Sequence, residues 1–116
     1  MARLLRDQDL RVRDISELVI LSVLDVLGEA GLPTLLESLE FATKNAKAPF
    51  SVGPSLEEIL KWRESLDEVR EEQRGGRTVY MVTGGGKEIV QHYVHLLRDL
   101  YPNISELRKA DELNLP

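Results

Sequence analysis

The chain has 116 residues, 42% of them hydrophobic and 30% charged, with no cysteine and a formal net charge of −5. That length suits one domain with one core, and the composition is that of a globular rather than a disordered chain. The missing cysteine excludes disulfides and thiol chemistry, no apolar run reaches the length of a membrane span, and the acidic balance counts against generic affinity for nucleic acid while leaving room for a local basic patch. With no signal-peptide core at the N-terminus, the expectation is a cytoplasmic protein that does not engage a membrane.

Residues 1–13 interleave Arg3, Arg6, Arg11 and Arg13 with Leu4, Leu5, Leu10 and Val12. Two readings stand: a short helix packing its leucines on the domain, or a basic arm reaching a phosphate backbone. Asp14 then reads as a helix cap with Glu17 as its capping-box partner, and the helix runs to about Glu29, stopping at Gly31. Ile15, Leu18, Val19, Ile20, Leu21, Val23, Leu24, Val26 and Leu27 cover nearly its whole circumference. A helix apolar all round is buried all round, so this one is expected to be central, with a second subunit covering part of the excess.

Thr34, with Glu37, is expected to cap a second helix that carries Leu35, Leu36, Leu39 and Phe41 and ends near Thr43. Residues 44–54 form a loop that is long for a helix-to-helix turn. Ser55 and Glu58 cap a third helix, with Leu56, Ile59, Leu60 and Leu66 facing inward and Trp62 beside that stripe.

Val69 to Val82 reads as a hairpin. Gly75-Gly76 supplies the positive φ that a two-residue turn requires. Pairing Arg74 with Arg77 sets Gln73 opposite Thr78, Glu71 opposite Tyr80 and Val69 opposite Val82, which places Val69, Tyr80 and Val82 on one buried face. Thr83 starts a last helix that reaches Leu100, where Pro102 ends it. Ile89, Tyr93, Leu96 and Leu100 form one apolar row and Val90, Val94 and Leu97 the next; one row suffices to pack on the domain, so the second is expected to be exposed in a monomer and to mark an interface. Asn103, with Glu106, is expected to cap a tail helix from Leu107 to Leu113.

This order of elements, and two motifs in it, resemble the winged helix-turn-helix transcriptional regulators, particularly the PadR-like and MarR-like families. Tyr80-Met81-Val82-Thr83-Gly84-Gly85-Gly86-Lys87-Glu88 is similar to the pattern that closes the wing in those families. Ser55 to Lys61, SLEEILK, is similar to the start of a PadR-like recognition helix, and Val69 matches the valine that opens the wing. The likeness extends from about Asp14 to Leu100. Gly84-Gly85 replaces a usual charged pair, Arg63 falls where the family has leucine, and the third helix sets Glu57, Glu58, Glu64 and Asp67 against Lys61 and Arg63. The resemblance implies an α+β, mainly α fold: a winged helix-turn-helix with a two-stranded wing and a long C-terminal helix. It divides the chain into a basic arm (1–13), a winged-helix domain including a C-terminal dimerisation helix (14–101) and a tail (102–116).

Chemistry-bearing clusters are weak. Gly84-Gly85-Gly86-Lys87 lacks the spacing and the following Ser or Thr of a phosphate loop. His92 and His95 have no adjacent carboxylate triad or cysteine, so no metal site is expected. No histidine has a nucleophile beside it; neither an enzyme nor a cofactor is expected. Arg74 and Arg77 bracket the hairpin tip with Arg70 behind, which reads either as a solvated end that discourages edge pairing or as a phosphate-contacting wing.

The expected function is a sequence-specific DNA-binding transcriptional regulator acting as a homodimer. Its DNA contacts are expected at Lys44, Lys47, Ser55, Lys61, Arg70, Arg74 and Arg77, and its dimer contacts at Val90, Tyr93, Val94 and Leu97. The alternative is a winged-helix protein-interaction module whose acidic third helix meets a basic partner.

Overall fold

The computed structural model describes residues 12–51 and 55–107. Among these described residues, five α-helices and one hairpin follow each other as α1 (Val12–Leu27), α2 (Leu32–Ala42), α3 (Leu56–Ser65), β1 (Val69–Arg74), β2 (Arg77–Val82), α4 (Gly84–His92) and α5 (Val94–Leu100), followed by a short 3-10 helix at Pro102–Glu106. The chain is thus mainly helical with a two-stranded antiparallel sheet. Most of the arginine-rich arm and most of the expected tail helix lie outside the described residues.

α1 is the centre, as its all-round apolar sequence demands. Leu18 to Leu24 is buried without interruption, and α2, α4, α5 and β2 pack against it. A single chain therefore covers this helix, and no second subunit is needed for it. α1 begins at Val12 rather than at an Asp14 cap, so Asp14 lies in its first turn, where a carboxylate suits the helix dipole. It ends at Leu27, not near Glu29. Gly28 takes the left-handed conformation (φ +86°) and donates to Leu24 O at 3.0 Å.

α2 starts two residues before the expected Thr34 cap, with Gly31 as N-cap and Pro33 in its first turn, where proline forfeits no hydrogen bond. Leu35 and Leu39 are buried, but Leu36 and Phe41 are exposed. The long loop after α2 is anchored along its length. Lys47 N–H donates to Leu100 O at 2.8 Å, the Tyr101 hydroxyl donates to Pro49 O at 2.7 Å, and Ser51 N–H donates to the buried Ser16 Oγ at 2.9 Å. Asn103, expected to cap a tail helix, instead sends its amide to Phe41 O and Lys44 O at the end of α2.

The hairpin has the register the sequence predicts, Val69↔Val82 through Arg74↔Arg77. Gly75 and Gly76 both carry positive φ, at +56° and +81°. Val69, Tyr80 and Val82 enter the core; Val79, on the other face, is also buried but outside the core cluster. The back edge of β2 is not free, because Ala30 and Tyr80 exchange backbone bonds of 3.0 and 2.8 Å. The α1–α2 loop thereby acts as a one-residue third strand.

The last helix is not continuous. It breaks at Tyr93 (φ −105°, ψ 13°) into α4 and α5, and both halves pack on α1. Val90 (6% exposed), Tyr93 (3%) and Leu97 (0%) are core residues of the single chain, and Val94 is half-buried. The row expected to be exposed for dimerisation is therefore mostly consumed by the chain's own core.

Gly86 explains the glycine run. A Cβ there would lie 2.2 Å from Glu68 O and 2.5 Å from Val82 Cγ1, whereas a Cβ on Gly84 meets open space. Gly86→Ala is expected to lower stability by about 1–3 kcal/mol through overpacking. Gly84→Ala, at a surface position, is expected to stay within about 0.5 kcal/mol of the parent chain. Urea denaturation of the two variants side by side checks this.

Candidate nucleic-acid interface

Two elements bear the expected contacts: α3 and the hairpin. α3 forms because Ser55 caps it, its Oγ accepting from Glu58 N–H at 3.0 Å, and Glu57 and Glu58 place carboxylates in the first turn. Leu56, Ile59 and Leu60 bury one face. Its C-terminus closes with Asp67 in the left-handed conformation (φ +62°). Asp67 N–H bonds Glu64 O at 2.9 Å and Glu68 N–H bonds Arg63 O at 2.9 Å, the paired bonds of a Schellman ending in which glycine is the usual residue.

Arg63, at the position where leucine was the likeness, is the hub of this region. Its guanidinium bonds Glu17 of α1 (Nε at 2.9 Å, NH2 at 2.7 Å) and Glu68 at the α3–β1 joint (NH1 at 2.6 Å), with the side chain only 13% exposed. Glu17 is thus no capping-box residue; it is the buried end of an ion pair. This triad was missed from sequence, and the signal available was a charged residue at an otherwise apolar helix position.

The joint between the hairpin and α4 is bonded to the same place. Thr83 Oγ1 donates to Asp67 O at 2.5 Å and accepts from Gly86 N–H at 3.3 Å, while Thr83 N–H donates to Glu68 O at 3.0 Å. Thr83 therefore caps α4 as its sequence position predicts, and also ties α4 to the end of α3.

The expected contact residues divide into two groups. Arg70, Arg74 and Arg77 are brought together on the hairpin, all exposed. Arg70 pairs with Glu72 at 3.1 Å and its NH2 reaches Met81 Sδ at 3.2 Å. Arg74 pairs with Glu72 at 2.8 Å and with Glu29 of the α1–α2 loop. The hydrogen bond from Arg74 holds the Glu72 carboxyl below its ordinary range, and Glu72, followed by Glu29, raises the Arg74 guanidinium. Among the described residues no ion pair engages Arg77. Lys44 and Lys47 sit on the loop bonded to α5, with Lys47 facing Asp99 at 3.9 Å, so they do not share the hairpin's anchoring. Ser55 spends its acceptor on the α3 cap, and Lys61 is exposed on α3 without an ion pair among the described residues.

Glu57, Glu58 and Glu64 of α3 are also exposed, as is Trp62. Tyr80, in the core, has its phenol pushed up by burial, then by the nearby charges of Glu71, Glu57 and Glu64.

No protein-family model matches the chain, and no curated protein matches it. Among solved structures it is similar to the crystal structure of Sso10a-2, a DNA-binding protein from Sulfolobus solfataricus, at a TM-score of 0.46 and 13% identity, over 84% of this chain and 96% of that one.

The Arg63 triad sets a test of how α3 is held. Arg63→Leu leaves Glu17 and Glu68 buried without a counter-charge and is expected to cost about 3–5 kcal/mol, as for one partner removed from a buried pair. Adding Glu17→Gln and Glu68→Gln to Arg63→Leu is expected to recover part of that loss. Thermal unfolding of the single and triple variants checks both expectations.

Proposed function

We propose that the protein binds duplex DNA through its hairpin, as a winged helix-turn-helix regulator. The observation that carries this reading is Arg77: an exposed guanidinium at the tip of a hairpin, with no ion pair among the described residues. Contact with phosphate calls for such a cation presented on a held edge. The hairpin is held, since its back edge is bonded to Ala30 and its base is bonded to Thr83 through Glu68. Arg70 adds a second exposed cation behind the tip. Arg74 is less available, because a phosphate has to displace Glu72 and Glu29 from its guanidinium. α3 contributes Lys61 as its exposed donor for base edges.

The finer parts of the reading are extended from the family resemblance. They are sequence preference through α3, a role in regulating transcription, and action as a homodimer. Because the core takes up Val90, Tyr93 and Leu97, the dimer contact is drawn from other surface. Among the described residues, Leu36 and Phe41 on α2 are the exposed large apolar residues available besides Trp62.

Anisotropy of a labelled mixed-sequence duplex at about 50 mM salt, where attraction is weakly screened, tests the reading. Arg77→Ala is expected to weaken binding evenly across sequences and to flatten the salt slope by about one unit. Arg74→Ala is expected to weaken it less, and Lys61→Ala to alter preference among sequences. Absence of duplex binding under these conditions overturns the proposal. Concentration-dependent sedimentation at micromolar protein is expected of a homodimer, and a constant monomeric value removes that part.

A further inference from the structure

We infer that Glu72 is an internal stand-in for a DNA phosphate: its carboxylate fills an anion site formed by Arg70 and Arg74 on one face of the hairpin, and a backbone phosphate takes that site by displacing it. The inference rests on the DNA reading and adds to it a second phosphate seat behind Arg77, masked until Glu72 leaves.

Arg70, Glu72 and Arg74 alternate along β1, and side chains two residues apart on a strand share a face. The pairing Arg74↔Arg77 adds Arg77 to that face across the turn. Like charges set directly opposite each other are unfavourable, so the arginines of this face need an anion among them. Glu72 supplies it, with one oxygen for each of two guanidinium groups. Its Oε2 is 3.1 Å from Arg70 NH2, and its Oε1 is 2.8 Å from Arg74 NH2 and 3.2 Å from Arg74 Nε. A phosphodiester offers the same pair of anionic oxygens to the same donors. The preference of the site for negative charge is visible in Glu72 itself. Its carboxyl is held below the ordinary range by the Arg74 hydrogen bond first, and by the charges of both arginines.

Each arginine also has a partner that does not depend on Glu72. Arg70 NH2 reaches Met81 Sδ at 3.2 Å, and Arg74 NH1 bonds Glu29 of the α1–α2 loop. The two guanidinium groups therefore keep their places when the carboxylate leaves, which spares an incoming phosphate the ordering of both side chains. The carboxylate itself is free to go. Arg70 is 61% exposed and Arg74 47%, and solvent screening keeps an ion pair weak at such positions. Glu71, the next carboxylate on β1, points to the other face, where its register partner is Tyr80, and no ion pair engages it among the described residues.

Glu72→Gln and Glu71→Gln each remove one charge from adjacent residues of one strand, so comparing them separates the site from net charge. The readout is anisotropy of a labelled mixed-sequence duplex at about 50 mM salt, with far-UV circular dichroism to check each fold. Glu72→Gln is expected to bind the duplex about threefold to tenfold more tightly than the parent chain, and Glu71→Gln to gain about twofold at most. With Arg70→Ala and Arg74→Ala both present, the extra gain from Glu72→Gln is expected to vanish, because the site it unmasks is gone.

Equal gains from the two glutamine variants overturn the inference, as does a Glu72→Gln gain that persists undiminished without Arg70 and Arg74. A parent chain that binds duplex with no gain from Glu72→Gln overturns this inference alone and leaves the DNA reading standing. A parent chain that fails to bind, beside a Glu72→Gln variant that binds, supports the masked site while overturning the DNA reading of the parent. Binding by neither overturns both.

Discussion

The guanidinium of Arg63 is the constraint on which the functional half of the molecule depends. It joins Glu17 on α1 to Glu68 at the start of the hairpin, with distances of 2.6–2.9 Å to each carboxylate. Three elements meet at that one planar group. Burying charge is costly, so the arrangement contributes less net stability than its short distances suggest. Its strength is geometric: a guanidinium fork accepts few orientations of its partners, whereas an apolar contact accepts many. Leucine at this position could pack α3 against α1 at several rotations. Arginine with two carboxylate partners selects one, and that one turns Trp62, Lys61 and Glu64 outward.

A second constraint lies one residue along. Asp67 adopts a left-handed conformation, at about 1–2 kcal/mol for a residue with a Cβ, so that the chain can reverse from α3 into β1. Its carbonyl then receives Thr83 Oγ1, and the neighbouring Glu68 carbonyl receives Thr83 N–H. Gly86 lets the first turn of α4 lie directly on that carbonyl. The start and end of the hairpin and the first turn of α4 are therefore fixed by the two residues that follow α3. With Ala30 bonded to Tyr80 on the other side, the hairpin is held at its base and along its back edge, and its tip alone projects. A contact made at Arg77 is thus made by a rigid lever rather than by a loose turn.

Local chemistry was the part legible in the sequence. The hairpin register follows from Gly75-Gly76 and the alternation of Val69, Tyr80 and Val82, and every pair was found as read. Ser55 and Thr83 were found as caps because a short hydroxyl before an amphipathic run has few other uses. What escaped was decided by tertiary packing. Glu17 satisfied a capping-box spacing, yet α1 begins earlier and the carboxylate answers Arg63, 46 residues away in sequence. The break at Tyr93 carries no proline or glycine, so periodicity ran straight through it and doubled the apolar rows assigned to one helix. With two shorter helices the same residues wrap α1 from two directions, which converts an expected interface into core. Ala30 as a third strand had no pattern at all, since one residue has no period.

Charge is the level at which sequence totals mislead most. A net charge of −5 describes a mixture that the fold sorts. The hairpin gathers Arg70, Arg74 and Arg77, while α3 and the adjoining strand gather Glu57, Glu58, Glu64 and Glu71. Fields of exposed groups fade within about 10 Å at physiological salt, so each patch acts on what approaches it more than on distant surface. The two elements are rigidly joined through Asp67, Glu68 and Thr83, which prevents the patches from folding onto each other and cancelling. Arg74 shows what cancellation looks like: held between Glu72 and Glu29, it steadies the tip while giving up part of its attraction for an incoming anion. Arg77, three residues on across the turn, has no such duty among the described residues. The hairpin thus separates the two tasks of a charged edge, one arginine fastening it to the domain and the next left facing solvent.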